Sequence, residues 1–373
     1  MTLIYATGDL ILERPDATAL LRAAAPVLAE GDVVVGHLEV PHTTASEVMT
    51  TDVPARPAPP SALDAVAAAG FDVLTLAGNH VFDLGPAGIA DTRRHCAERG
   101  LLTTGAGPDL EAAWEPAVVE HGGRRVVVLS VNCVGPRETW ATATKPGAAH
   151  VEVLTHYETL GANPGGPPRI HTVVEPGSLA ELRRRIAGHA AADATIILAL
   201  HKGLVHVPAE LAAYEHEVAR AAIDAGAAAV IGHHAHILKG VEVYRGRPIL
   251  HGLGNFATVT GALSVTEAVP ERAAWARRRA ALFGFEPDPS MPEYPFHPES
   301  RNTAIAALEV GDDGAVAASL VPCRIDDDAA PVPLARDAGG GQVGEYIRRI
   351  TRDAGLPNRF AWRGDRLTVE TEH

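Results

Sequence analysis

Short apolar segments alternate along the chain with longer amphipathic segments rich in alanine and arginine, and this alternation constrains the fold most strongly. Short apolar runs bounded by glycine or polar residues are typical of buried β-strands, whereas the amphipathic stretches have a helical period. Other pairs of apolar runs flank glycine-containing turns, as β-hairpins do. This mixture predicts an α/β (α+β) protein whose sheets are covered by helices, rather than one doubly wound parallel sheet.

Polar side chains come directly after four of the predicted strands. Those strands cover residues 3–6, 73–76, 195–200 and 228–231. The first leads to Asp9, the second to Asn79, the third to His201 and the fourth to the histidine-rich segment 233–236. Because the carboxyl ends of strands in α/β folds face one common crevice, we expect these side chains to lie close together.

The polar residues of this crevice form a donor set for a divalent metal ion. The candidate ligands are two carboxylates, an amide and three imidazoles: Asp9, Glu39, Asn79, His201, His234 and His236. His-x-His in an extended segment places both imidazoles on the same side. Oxygen and nitrogen donors together suit Mn²⁺, Fe²⁺, Zn²⁺ or Ca²⁺, and the sequence does not distinguish among them.

His80 and Asp83 follow Asn79 in the pattern Asn-His-x-x-Asp. A histidine tethered to a carboxylate is suited to proton transfer near neutral pH, so we predict that this pair is catalytic. The alternative is a pair that only orients the metal ligands.

Composition excludes several classes of protein. The formal net charge of −14 disfavours binding to nucleic acid, since an acidic surface repels phosphate. The three cysteines, Cys96, Cys133 and Cys323, are far apart and form no CxxC pair, which argues against a disulfide framework or a cysteine zinc site. The sequence shows no secretory signal and no apolar run of membrane-spanning length, so we expect no membrane partner and a cytoplasmic location.

Six stretches of the chain together resemble one protein family. They cover residues 7–10, 35–41, 76–85, 201–203, 231–236 and 250–256. In number and order they resemble the CapA family, named for a capsule poly-γ-glutamate biosynthesis protein, whose fold is similar to that of calcineurin-like metallophosphatases. The resemblance implies a two-sheet sandwich flanked by helices, with a metal site at one sheet edge.

Two departures from the family pattern bear on the metal. Metallophosphatases usually begin with Asp-x-His, whereas Asp9 is followed by Leu10 and Ile11; the second motif has His37 where asparagine is usual. The missing histidine predicts one divalent ion per chain, which weakens the case for phosphoester hydrolysis by a two-metal clamp.

The chain is predicted to be a single domain over residues 1–373, with insertions at about 138–175 and 257–300 that are expected to cover the site. Segments 283–288 and 295–299 look like a branch of CapA-like proteins that includes the lasso-peptide epimerase. The likeness implies a precursor peptide as substrate and inversion of its C-terminal residue. Epimerisation needs acid–base groups on opposite sides of the Cα, and His297 is the candidate beside His80.

The remaining candidates are supporting or substrate-binding residues. His37 and His233 are expected to support the ligands, whereas Lys202, His206 and His251 are expected to line the substrate pocket. Asn255, in the last of the six stretches, belongs to the same supporting or substrate-binding set. Two other functions stay open: a metal-dependent hydrolase of a phosphoester or an amide, and a non-catalytic accessory protein of capsule assembly.

Overall fold

A computed structural model describes residues 1–49, 56–159, 161, 166–192, 194–262 and 270–370, without the side chains of 271 and 272. Its strands are β1 Thr2–Leu12, β2 Val33–Leu38, β3 Val73–Thr75, β4 Leu102–Thr104, β5 Ala106–Gly107, β6 Ala117–His121, β7 Arg124–Asn132, β8 Gly147–Ala148, β9 Val153–Glu158, β10 Arg169–Val174, β11 Thr195–His201, β12 Ala229–His233, β13 Val241–Tyr244, β14 Arg247–Leu250, β15 Asn255–Val259, β16 Asn302–Val310, β17 Val316–Ile325, β18 Pro331–Pro333, β19 Arg359–Arg363 and β20 Arg366–Glu370. Its α-helices are α1 Thr18–Leu21, α2 Ala25–Leu28, α3 Ala62–Ala68, α4 Gly85–Ala97, α5 Leu110–Ala113, α6 Pro176–Ala190, α7 Ala213–Asp224, α8 Pro270–Phe283 and α9 Gly340–Asp353.

Most strands belong to two large sheets. The larger has ten strands in the order β19-β20-β17-β16-β1-β2-β3-β4, with β15 beside β1 and β18 beside β17. The other has six strands in the order β13-β14-β12-β11-β7-β6. Strands β1 to β4 run parallel to one another, and so do β7, β11, β12 and β14. The carboxyl ends of both parallel sets can therefore supply side chains to one site.

The two sheets pack face to face and helices cover their outer faces. Ile4 and Ala6 of β1 share one buried apolar cluster with Val126 and Val128 of β7, whereas Tyr5 faces the opposite side of its sheet. This alternation is what the two-residue period of a strand dictates. Helices α1 and α3 pack in the outer cluster of the larger sheet, and α6 and α7 in that of the smaller. The predicted mixed α/β sandwich flanked by helices is confirmed.

Several predicted boundaries differ from the structure. The amphipathic pattern of residues 18–29 predicts one helix, but the structure divides it into α1 and α2, because Pro26 in the first turn of α2 has no N–H to continue the first helix. The pattern of residues 208–225 also predicts one helix, but the helix begins at Ala213, where Glu215 accepts a hydrogen bond from the Ala212 N–H. The segment 138–175 is rich in glycine, proline and threonine, which predicts an irregular loop, but it contains the hairpin β9–β10.

Strand β1 continues past Asp9 to Leu12, although the sequence predicts that it ends before Gly8. Its pairing with β2 and with β15 shifts at Asp9, and the Asp9 N–H donates to Gly254 O at 2.8 Å. A Cβ at Gly8 would collide with the Gly254 carbonyl, so only glycine permits this close approach.

The insertion at 257–300 contains helix α8, while residues 263–269 lie outside the described part of the chain. In the described ranges, no helix combines the length and the apolar character needed to cross a membrane.

Candidate metal centre and its cavity

The two parallel strand sets bring their ends together at one buried site. Asp9 lies at the irregularity of β1, and Glu39 directly follows β2. His201 is the last residue of β11. His233 is the last residue of β12, and His234 follows it. The structure therefore brings the residues predicted from the strand ends into one place.

Two groups of side chains at this site have the spacing of metal ligands. In each group, one ligand atom per residue lies within 4.8 Å of the others. The first group is His37, Glu39 and His201, and the second is Asp9, Glu39 and His236. Glu39 belongs to both groups, so its two oxygens can serve two positions. The expectation of one ion per chain stays a prediction.

Short distances define the first group. His37 Nε2 lies 3.2 Å from Glu39 Oε2, and His201 Nε2 lies 3.6 Å from Glu39 Oε1. Asn79 Oδ1 lies 2.8 Å from His201 Nε2, so the amide predicted from Asn-His-x-x-Asp reaches the same group.

The second group lies on the other side of Glu39. His236 Nδ1 lies 3.2 Å from Asp9 Oδ2, and His236 Nε2 lies 3.8 Å from Glu39 Oε1. Asn255 Oδ1 lies 2.9 Å from His236 Nδ1, which places Asn255 among the residues that support the site.

Many polar atoms here are buried without a hydrogen-bond partner among the described residues. They include both carboxylate oxygens of Asp9 and of Glu39, and ring nitrogens of four histidines: His37 Nε2, His201 Nδ1, His233 Nδ1 and His234 Nδ1. Leaving such groups unpaired is costly, so the arrangement fits a bound cation that satisfies them. We call Asp9, His37, Glu39, Asn79, His201, His233, His234 and His236 the metal-candidate cluster.

His37 is held in the orientation of a ligand, although sequence reasoning placed it among the supporting residues. The hydroxyl of Thr75 donates to Gly36 O at 3.2 Å, so it accepts a hydrogen bond from His37 Nδ1 at 2.9 Å. With the proton on Nδ1, Nε2 carries the lone pair that faces Glu39. The signal in the sequence was the unusual histidine at this motif position.

Burial keeps several histidines neutral, which is the state that binds metal. It lowers the pKa of His233 and of His234 to about 4, and it lowers the pKa of His201 well below its usual value. Burial alone would also lower the pKa of His236, but the adjacent Asp9 and Glu39 carboxylates outweigh it and raise that pKa. At Glu39 burial acts to raise the pKa, but interactions with the surrounding imidazoles outweigh it and hold that pKa well below the usual range.

Backbone strain is concentrated at the site. His206, His234 and His236 adopt positive φ angles of 63°, 83° and 53°. Non-glycine residues in the left-handed region are uncommon and persist where the surrounding structure enforces them. The segment after β12 is therefore shaped to aim its imidazoles rather than to form a relaxed turn.

A cavity of about 520 Å³ opens directly over the cluster. Asn79, His80, His234 and His236 line it from the cluster side. Helix α8 forms the opposite wall with the residues Trp275, Arg278, Arg279, Leu282 and Phe283. The insertion at 257–300 thus contributes one wall of the cavity.

His80 and Asp83 form a tight buried pair at this cavity. His80 Nδ1 lies 2.7 Å from Asp83 Oδ2, and both side chains are almost fully buried. A histidine held by a carboxylate in this way has the geometry of a general acid–base pair, and the catalytic role predicted for it stays a prediction.

Lys202 and His251 do not line this cavity, although the sequence placed them in a substrate pocket. The Lys202 ammonium donates to Glu215 at 2.9 Å and to the His251 carbonyl at 3.2 Å, and it lies 3.2 Å from His251 Nδ1. His251 Nε2 lies 2.9 Å from Glu242, which also accepts from Arg220 at 2.6 Å. We call Lys202, Glu215, Glu242 and His251 the ion-paired cluster.

Glu242 and His251 also have metal-ligand spacing together with His216. The cation of Arg220 already neutralises the Glu242 carboxylate, so the group is satisfied without an ion. Strand alternation explains the misplacement, since Lys202 directly follows His201 and points to the opposite side of the chain.

Two further predicted residues lie outside the lining of the cavity. His206 packs edge-on against Phe283 and Phe285, at ring-centroid distances of 5.3 and 4.9 Å. His297 begins the turn Pro298–Arg301, where its Nδ1 accepts from the Glu299 N–H at 3.1 Å. The direction of the His297 side chain could not be predicted from the sequence, because an insertion has no strand register that fixes it. A catalytic role of His297 stays a prediction without a contact that supports it.

His233 lies against the ring of His37, and the supporting role predicted for it stays a prediction. Its Nε2 lies 3.1 Å from Thr7 O, and its ring stacks on that of His37 at a centroid distance of 4.7 Å.

Fold and site together define an α/β protein with a buried candidate metal centre. The chain belongs to the PGA_cap family of bacterial capsule synthesis proteins, whose profile matches residues 3–260. The family resemblance inferred from the six sequence stretches is therefore confirmed. Membership of the lasso-peptide epimerase branch stays a prediction.

Curated relatives agree with this assignment. The chain is 23% identical to capsule biosynthesis protein CapA of Bacillus anthracis, over 97% of this chain and 74% of that protein. It is also 23% identical to PGA biosynthesis protein CapA of Bacillus subtilis, over 97% of this chain and 78% of that protein. A probable polyglutamine synthesis accessory protein of Mycobacterium tuberculosis is 32% identical over 52% of this chain and 47% of its own length.

Similar solved structures match the chain at low TM-scores. One is a putative 5′-nucleotidase from Staphylococcus aureus, with a TM-score of 0.42, 12% identity and coverage of 94% of this chain and 58% of that one. Another is the calcineurin-like phosphoesterase YfkN from Bacillus subtilis, with a TM-score of 0.38, 14% identity and coverage of 95% and 97%. Both scores are low, and the family assignment comes from the sequence matches.

Proposed function

We propose that the chain is a metal-dependent peptide epimerase that inverts the Cα of a C-terminal residue of a precursor peptide. One observation carries the proposal: two imidazole–carboxylate pairs, His80–Asp83 and His236–Asp9, have their imidazoles on the lining of the same cavity. Epimerisation requires one group that removes the Cα proton and another that returns a proton to the opposite face.

The two pairs can divide these roles. His80 Nε2 takes the Cα proton, and the Asp83 carboxylate stabilises the imidazolium that results. His236, whose pKa the neighbouring carboxylates raise against the effect of burial, gives its Nε2 proton to the other face. His236 is then the proton donor in place of the predicted His297. After one inversion His80 is protonated and His236 is neutral, and proton exchange with water restores the starting form of each before the next turnover.

A divalent ion would be held by the remaining donors of the metal-candidate cluster, with Glu39, His37 and His201 nearest to one another. When bound, it supplies positive charge that stabilises the enolate formed during proton removal.

The cavity walls suit the end of a peptide chain. Trp275, Leu282 and Phe283 on α8 offer an apolar and aromatic surface. Arg278 lies beside them and has no ion-pair partner among the described residues, in a chain with a net charge of −14. An apolar residue that carries a free carboxylate satisfies both features.

The test is incubation of the purified protein with candidate precursor peptides in D₂O, followed by mass spectrometry. We expect a gain of one deuterium at a C-terminal residue, suppressed by EDTA and by His80→Gln. His95→Gln is the matched control, because His95 forms a similar contact with Glu98 on the surface, at 3.1 Å and the same three-residue spacing. Absence of deuterium in every peptide would remove the epimerase proposal.

The second candidate is a metal-dependent hydrolase of a phosphoester or an amide. It is favoured by the position of Glu39 in both ligand groups, since two ions that share a carboxylate can hold both oxygens of a displacement. The names of the relatives above refer to capsule or polyglutamine synthesis, and none of them refers to epimerisation. Phosphate release or amide cleavage in the same incubations, with no deuterium gain, would establish hydrolysis.

A further inference from the structure

A chain of hydrogen bonds runs from the insertion at 257–300 into the metal-candidate cluster. It passes from Ser300 to Tyr294, then to Asn255, and ends at His236. All four side chains are buried, at 7% exposure or less. Tyr294 lies outside the segment 3–260 that matches the family profile, so this connection belongs to the insertion.

The directions of these hydrogen bonds follow from which groups can donate a proton and which can accept one. The Tyr294 hydroxyl donates its proton to Ser300 O at 3.0 Å, which leaves its oxygen free to accept. Asn255 Nδ2 donates to that oxygen at 3.1 Å. The Asn255 amide is therefore oriented with its nitrogen towards Tyr294 and its oxygen towards His236.

The orientation of Asn255 in turn acts on the tautomer of His236, whose Nδ1 also lies 3.2 Å from the carboxylate of Asp9. Its Oδ1 lies 2.9 Å from His236 Nδ1, and an acceptor at this place requires the proton on Nδ1. His236 Nε2 then faces Glu39 Oε1, 3.8 Å away, as the nitrogen that carries the lone pair. If the amide were reversed, its NH₂ group would face Nδ1 and would favour the opposite tautomer.

We propose that Tyr294 is a positioning residue that fixes the orientation of Asn255, so that the Asn255 oxygen acts together with the Asp9 carboxylate to hold the proton of His236 on Nδ1. The insertion thus does more than form a wall of the cavity: it helps to determine which nitrogen of His236 is available at the cluster. Nε2 remains the available atom whether it binds an ion or carries a proton, so the inference holds for either candidate reaction.

The test is ¹⁵N NMR of histidine-labelled, metal-free protein at alkaline pH, where the two tautomers of a neutral imidazole give distinct ring-nitrogen shifts. The His236 signals are assigned by their loss in His236→Gln. We expect the Nδ1–H tautomer in the unmodified chain, and in Tyr294→Phe a change of roughly fivefold or more in the tautomer ratio, since the variant removes the acceptor that orients the amide.

Two further variants make the result specific. Tyr214→Phe removes another buried hydroxyl, which accepts from the Gly203 N–H at 2.7 Å, and should leave the His236 ratio unchanged. Asn255→Asp offers an oxygen at both ends, so Tyr294→Phe added to it should no longer change the ratio. An unchanged ratio in Tyr294→Phe, or an equal change in the Asn255→Asp background, would overturn the proposal.

Discussion

Two clusters of buried carboxylates and histidines lie close together in this molecule, and their hydrogen bonding is opposite in kind. In the ion-paired cluster, Lys202 directs its ammonium at Glu215 and His251, and both oxygens of Glu242 accept hydrogen bonds. In the metal-candidate cluster, neither oxygen of Asp9 or Glu39 has a hydrogen-bond partner among the described residues. Similar residues therefore form a self-sufficient structure in one place and an unsatisfied one in the other.

The difference teaches how to separate a structural cluster from a functional one. A buried charge must be neutralised, and the ion-paired cluster does this with cations of the chain itself. The metal-candidate cluster contains no lysine or arginine, so a cation from outside can supply what is missing. The two clusters even share a strand end, since His201 and Lys202 are consecutive.

The largest expected effect is loss of metal from Glu39→Gln. The carboxylate belongs to both ligand groups, so its removal should weaken binding of Mn²⁺ or Zn²⁺ by more than about 100-fold. Elemental analysis after dialysis and calorimetric titration of the metal-free protein measure this. Glu242→Gln, in the ion-paired cluster, is the matched control and should retain the metal content of the unmodified chain. Equal metal content in both variants would contradict the distinction between the clusters.

Lys202→Met should do the reverse of Glu39→Gln: it should lower the stability of the fold and leave metal binding unchanged. The substitution leaves Glu215 buried without its cation and should lower the free energy of unfolding by about 3–5 kcal/mol. Denaturant unfolding in EDTA measures it, and the metal affinity of the folded variant should be unchanged. Lys145→Met, which removes an ammonium bonded to the carbonyls of Glu138 and Pro146, should cost only about 1 kcal/mol. A comparable loss in both lysine variants would show that Lys202 contributes no more than an ordinary hydrogen-bonded side chain.

Acid should weaken the ion-paired cluster through His251. Burial and the Lys202 charge lower the pKa of His251 to about 4, below the value of about 6.5 for an unfolded histidine. The unfolded chain thus binds more protons between these values, so this contribution to stability is complete above pH ~6.5 and is lost as pH falls towards ~4. In EDTA, His251→Gln should reduce the slope of unfolding free energy against pH by up to about 1.4 kcal/mol per unit. Identical slopes would show that His251 does not titrate on unfolding.

Much of this site could be predicted because strand ends have a fixed geometry. Asp9, Asn79 and His201 each lie at or just beyond an apolar run, and parallel strands bring such positions to one edge. The sandwich followed from the same runs together with the family resemblance.

Other features depend on directions that the sequence does not encode locally. Whether Lys202 faces the cavity depends on where β11 ends, because a shift of one residue along a strand turns each side chain to the opposite face. The place of α8 over the cavity and the contact of Tyr294 with Asn255 depend on tertiary packing of an insertion. Periodicity describes a helix in isolation and does not fix where it packs.

The smallest expected effect concerns the wall of the cavity, where Arg278 has no ion-pair partner among the described residues. Arg278→Ala should raise the KM for an anionic substrate by roughly fivefold, because an exposed ion pair contributes up to about 1 kcal/mol, while kcat and metal content stay the same. Arg277→Ala is the matched control, since Arg277 lies on the same helix but does not line the cavity over the cluster. The KM change in Arg278→Ala should also diminish as salt is added, since screening weakens exposed charge pairs. An equal change in both arginine variants would indicate a general effect of helix charge rather than a contact between Arg278 and the ligand.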